Sequence, residues 1–140
     1  MNYLPDTCVI SELVKVRPNN SVVKWIEACN EDSLFLSVLT IGEIQKGIAK
    51  LNDPSRRNTL QHWLDDDLCA RFSGRILVVS QEVACTWGVI QANAEKEGAP
   101  IPSIDGLIGA TAIVHNLTLV TRNVKDMVRT GARILDPWTL

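Results

Sequence analysis

Along the chain, short apolar runs alternate with longer stretches in which apolar residues recur at helical spacing. The short runs predict strands at Asn2–Leu4, Leu34–Ser37, Ile76–Val79 and Leu117–Thr121, with a short fifth at Arg133–Leu135. Between them the 3.6-residue period predicts helices near Val9–Lys15, Ser21–Cys29, Val38–Leu51, Ser55–Arg71, Gln81–Glu97, Ser103–His115 and Lys125–Arg129. Pro18-Asn19-Asn20 and Gly98-Ala99-Pro100-Ile101-Pro102 are the clearest breaks, because proline and glycine end helices on steric grounds. Strands separated by helices give an α/β fold: crossover connections force the strands parallel and put helices on both faces of the sheet.

Length and composition narrow this picture. At 140 residues one domain spanning 1–140 is expected, and 46% hydrophobic with 21% charged residues is the composition of a folded chain, not a disordered one. No apolar stretch is long enough to cross a bilayer and the first residues have no basic flank or apolar block, so a cytoplasmic protein with no membrane partner is expected. The net charge of −2 gives no global attraction to nucleic acid, so any such contact needs a local basic patch. Cys8, Cys29, Cys69 and Cys85 are widely spaced without a C-x-x-C pair and read as small buried hydrophobes.

Ligands of an open parallel sheet collect beyond the carboxyl ends of its strands. Asp6 closes the first strand, Glu43 lies about a turn into the helix after the second, and Thr121-Arg122-Asn123 closes the fourth. Each acid has a structural alternative. Asp6 suits the N-cap of the following helix, and Thr40-Ile41-Gly42-Glu43 has the form of a capping box. Asp105 follows Ser103, the natural cap, so it falls inside a first helical turn, where the helix dipole favours an acid. Gly109 and Ala112 on its face leave room for a backbone or a ligand to approach.

Together these segments resemble a known family. Asp6-Thr7-Cys8-Val9-Ile10-Ser11-Glu12-Leu13, Thr40-Ile41-Gly42-Glu43-Ile44 with Gly47, Asp105-Gly106-Leu107-Ile108-Gly109-Ala110-Thr111-Ala112 and Thr121-Arg122-Asn123-Val124-Lys125-Asp126 are similar, in this order, to the motifs of PIN-domain proteins. The likeness is greatest to toxins of the VapC and FitB type from type II toxin–antitoxin pairs. It covers essentially the whole chain, through Asp136-Pro137-Trp138. The resemblance implies a three-layer α/β/α PIN domain with a central parallel sheet of four to five strands. It also implies an endoribonuclease dependent on Mg2+ or Mn2+, a homodimer, and a cognate antitoxin protein. By motif position Asp6, Glu43 and Asp105 would be the metal ligands. The fourth acidic position falls on Asn123, so Asp126 is proposed to supply the remaining catalytic charge. Cys8 stands where many members have asparagine, and Pro5 interrupts the usual aliphatic run.

The grouping is intelligible physically. Three converging carboxylates raise one another's pKa unless a cation lies among them, and hard oxygen donors with retained waters suit magnesium or manganese. Arg122, Lys125 and Lys46 are candidate RNA contacts, with Lys50 four residues beyond Lys46, and Thr7, Ser37 and Thr121 are candidates to hydrogen-bond the carboxylates. Asp65-Asp66-Asp67 point in different directions on a helix and read as a solvated face. Trp25, Trp63, Trp87 and Trp138 read as packing residues. The rival reading is a non-catalytic PIN-like or receiver-like α/β module that binds or regulates. Ile76–Val79 runs into Ser80-Gln81-Glu82 with no phosphoacceptor aspartate, which argues against a receiver.

Overall fold

A computed structural model describes residues 1–140. In chain order it contains β1 (Tyr3–Pro5), α1 (Thr7–Glu12), α2 (Asn20–Ala28), β2 (Leu36–Ser37), α3 (Val38–Ala49) and α4 (Pro54–His62). There follow α5 (Cys69–Arg71), β3 (Ile76–Leu77), α6 (Gln81–Lys96), α7 (Ser103–Val114), β4 (Thr118–Val120), α8 (Val124–Met127) and β5 (Ile134–Leu135). Short 3-10 turns at Glu31–Ser33, Val128–Thr130 and Pro137–Thr139 complete it.

All strand pairs are parallel. β1, β4 and β5 form one ladder, in that order, and β2 and β3 form another. The two are joined by a bridge between Tyr3 and Leu34, where the Phe35 amide donates to the Tyr3 carbonyl at 2.9 Å. The resulting order, β3-β2-β1-β4-β5, places all five expected strands, four of them shorter than their apolar runs and β1 shifted by one residue. The chain leaves β1 toward β2 and β3 on one side and returns to β4 on the other. The crevice between the ends of β1 and β4 is therefore the point where the winding reverses.

Side chains of successive strand residues point to opposite faces, and this separates two cores. Leu36 and Val120 pack with Val9, Ile10, Val22, Ile26, Ile44 and Phe72 on one side. Leu4 and Leu119 pack with Ile108, Ala112 and Met127 on the other. The sheet is thus sandwiched between α1–α3 and α7–α8, with α6 packed on α7.

Three local readings are corrected. The helix expected over Ser55–Arg71 opens with Asp53 capping Ser55 and Pro54 at its first turn, but Trp63–Leu68 is wound as a π-helix. The wider turn buries Leu64 and Leu68 while Asp65, Asp66 and Asp67 stay exposed. Ser103 does not cap α7: Pro102 occupies the cap position with no side-chain bond, so Ser103 is the first helical residue. Gly109 does not open space for a ligand. A Cβ there would lie 2.5 Å from the Thr130 side chain, so the glycine admits the 3-10 turn after α8 against α7. Gly106 likewise admits the Trp87 indole, 2.9 Å from where its Cβ would be.

Candidate active site

β1 ends against β4 through the Asp6 amide, which donates to the Val120 carbonyl at 2.8 Å. Asp6 then caps α1, Oδ1 accepting from the Thr7 amide at 2.7 Å. Its second oxygen, Oδ2, accepts from the Thr121 hydroxyl at 2.9 Å. Asp6 is 8% exposed and Thr121 is fully buried. The aspartate is therefore a cap and, at the same time, a fixed carboxylate at the crevice.

Glu43 resolves differently from its capping alternative. Ser37 caps α3, its Oγ accepting from the Leu39 amide at 3.0 Å, while Thr40 is buried with its hydroxyl unpartnered. No capping box forms. Glu43 lies in the helix interior and its Oε1 accepts from the Thr7 hydroxyl at 2.5 Å. Thr7 thus ties the α3 carboxylate to the turn that holds Asp6. The same finding corrects the reading of Ser37, which holds the start of α3 and bonds no carboxylate.

Asp105 reaches the crevice because α7 runs back toward the start of β4, which leaves the helix N-terminus at the carboxyl edge of the sheet. There it lines one cavity of about 410 Å³ with Asp6, Thr7, Cys8, Glu43, Arg122 and Asn123. None of the acids has a basic partner: the ion pairs of the chain are Lys15–Glu12, His62–Asp66, Arg71–Glu31 and Arg75–Glu31. Burial pushes the Asp105 carboxyl above its ordinary range, and the charges of Asp6, Glu43 and Asp126 push it further. That is the signature of an uncompensated carboxylate cluster.

This donor set fits a hard divalent cation in kind: carboxylate oxygens that no basic side chain pairs with, and an amide oxygen from Asn123. As the side chains stand, no three converge closely enough to share one ion. Such a site suits magnesium, which binds through one or two carboxylates and keeps several waters.

The PIN domain family profile matches residues 3–132. The chain belongs to the PIN domain family. Over 135 residues it is 34% identical to "Toxin FitB" from Neisseria gonorrhoeae, covering 96% of this chain and 97% of that protein. It is 33% identical over 133 residues to "VapC ribonuclease Y4jK" from Sinorhizobium fredii, covering 95% of each. The crystal structure of FitAcB from N. gonorrhoeae superposes with a TM-score of 0.93 at 34% identity, over 99% of both chains.

Of the other residues singled out in this PIN domain, Asp126 is exposed on α8 and outside the cavity wall, near enough to add to the field on Asp105. Lys125 is exposed on the same helix. Lys46 and Lys50 line a neighbouring groove with Glu43, Thr7 and Ile104. Cys8 lies on the cavity wall itself, its Sγ 3.6 Å from the Thr121 hydroxyl and 3.9 Å from Asp6 Oδ2. Burial raises its thiol pKa. In the sequence it was set apart from the other cysteines only by its place two residues after Asp6, where many PIN-domain proteins have asparagine. All four are free thiols and, against expectation, none is fully buried: Cys8, Cys29 and Cys69 are half-buried and Cys85 is exposed.

Proposed function

We propose that this PIN domain is a Mg2+- or Mn2+-dependent endoribonuclease and the toxin of a toxin–antitoxin pair. The observation that carries the reading is the meeting of Asp6, Glu43 and Asp105, from three distant segments, in one cavity without a basic partner. Folding three acids together is unfavourable unless a cation uses them. Relatives named as a toxin and as a ribonuclease, aligned over nearly the whole chain, supply the biological class.

In this reading Asp6, Glu43 and Asp105 would hold the cation, with Asn123 at the fourth position and Asp126 nearby. When bound, the ion supplies an acidified water and Lewis-acid stabilisation of charge on the phosphodiester. Thr121 and Thr7 hold the carboxylates of Asp6 and Glu43 in a fixed orientation at the cavity wall. Arg122 contacts the phosphate backbone, assisted by Lys46 and Lys125 at the margins. A cognate antitoxin protein and a homodimer belong to the same proposal, as does action in the cytoplasm.

Asn123 is the feature that favours the rival, non-catalytic binding module. Incubating purified protein with total RNA and Mn2+, with and without chelator, and mapping new ends separates the two. Chelator-sensitive cleavage supports the nuclease; intact RNA under all conditions refutes it.

A further inference from the structure

Arg122 is the only cation on the wall that carries Asp6, Glu43 and Asp105. It follows β4 by two residues and is exposed, and it takes part in none of the ion pairs of the chain. A free arginine side chain beside three acids would be expected to fold onto them or to wander in solvent. Here it lies over an aromatic ring instead. The pairing of β4 with β5, Leu119 opposite Ile134 and Val120 opposite Leu135, brings the chain after β5 alongside the chain after β4. Asp136 then caps the last turn, its Oδ1 accepting from the Trp138 amide at 2.9 Å. Trp138 packs against the α1–α3 core with its ring 5.3 Å from the Arg122 guanidinium carbon.

We propose that Trp138 is a positioning residue: its indole face fixes Arg122 over the mouth of the acidic cavity, where the guanidinium takes a phosphate of single-stranded RNA. The inference rests on the nuclease reading above. Stacking occupies only the face of a guanidinium and leaves its edge N–H donors, the ones that match phosphate oxygens, free. The arrangement meets a specific need. A phosphodiester must approach three carboxylates, and a cation held in place offsets that repulsion without being neutralised by them.

The test has two arms. In 15N-labelled protein, the Arg122 Nε–H resonance is expected to carry an indole ring-current shift that disappears in Trp138→Leu and persists, altered, in Trp138→Phe. With a fluorescein-labelled single-stranded oligoribonucleotide in Mn2+, Trp138→Leu should raise KM ~2–5-fold, the size of an exposed cation–π contact. The value of kcat should hold, as for a lost uniform binding contact. Trp138→Phe should restore most of the affinity, and adding Arg122→Ala to Trp138→Leu should cost less than Arg122→Ala alone. An unshifted Arg122 resonance in the wild type, Leu and Phe variants that behave alike, or additive losses would overturn the proposal. A shifted resonance in a protein that neither binds nor cuts the oligonucleotide would instead overturn the nuclease reading, and the phosphate role with it.

Discussion

Glu12 is the most deeply buried acid outside the cavity, its side chain 6% exposed, accepting from Lys15 Nζ at 2.8 Å and from the Asn19 amide at 2.9 Å. The Lys15 hydrogen bond, then that of Asn19, holds its pKa below the usual value. A depressed folded pKa stabilises above the unfolded value and is lost as pH falls through the folded one. Glu12→Gln should therefore cost about 1.5–3 kcal/mol at neutral pH, the range for hydrogen bonds to a charged group. The difference from wild type should shrink in acid, as urea melts at neutral and low pH would measure. At Asn123 an amide oxygen stands where a fourth charge would strengthen the site. Asn123→Asp should lower the manganese needed for half-maximal cleavage and Asp126→Asn should raise it. Equal midpoints for Asp126→Asn and wild type would leave Asp126 a surface acid. Asp6, Glu43 and Asp105 were legible as candidates because each sits at a fixed offset from a strand end or helix start. Deciding between cap and ligand was not, because the choice at Glu43 depends on a hydroxyl, that of Thr7, 36 positions away in the chain.

At the scale of elements, α7 carries the site by being packed very closely. Gly109 meets Thr130, whose hydroxyl is buried and donates to the Met127 carbonyl at 2.7 Å. Gly109→Ala forces the 3-10 turn away from the helix and should destabilise the fold by about 1–3 kcal/mol, as overpacking does. A thermal melt checks this, and an unchanged melting temperature would show that the turn yields freely. The periodicity located every helix and strand, yet the ends shifted where side chains from elsewhere decide them. Ser37 outcompetes Thr40 as the cap of α3, and the π-turn at Trp63–Leu68 breaks a segment that reads as one helix. Gly109 looked like space near a carboxylate; it is space for Thr130, as Gly106 is for Trp87, and no local pattern announces either.

Over the whole molecule, the parallel order β3-β2-β1-β4-β5 puts the reversal of winding at β1 and β4, and the ends of both strands open into the acidic cavity. The α/β class and the edge that bears the site followed from alternation alone, whereas strand order and the seating of Trp138 under Arg122 depend on long-range register. If the carboxylates bind Mn2+ only when folded, the metal should raise the melting temperature by mass action, about 2.7 kcal/mol of stability at one hundred times Kd. The rise should vanish in Asp6→Asn, since an identical rise would place the metal elsewhere. The most direct measurement compares RNA cleavage rates of wild type, Asp6→Asn and Asp105→Asn in Mn2+, each verified as folded. Both variants keep side-chain volume and remove one charged ligand. Loss of more than roughly 100-fold in each, beyond what outer residues around a metal cause, is the expected result. Cleavage at the wild-type rate by either folded variant would contradict a metal site built on these carboxylates.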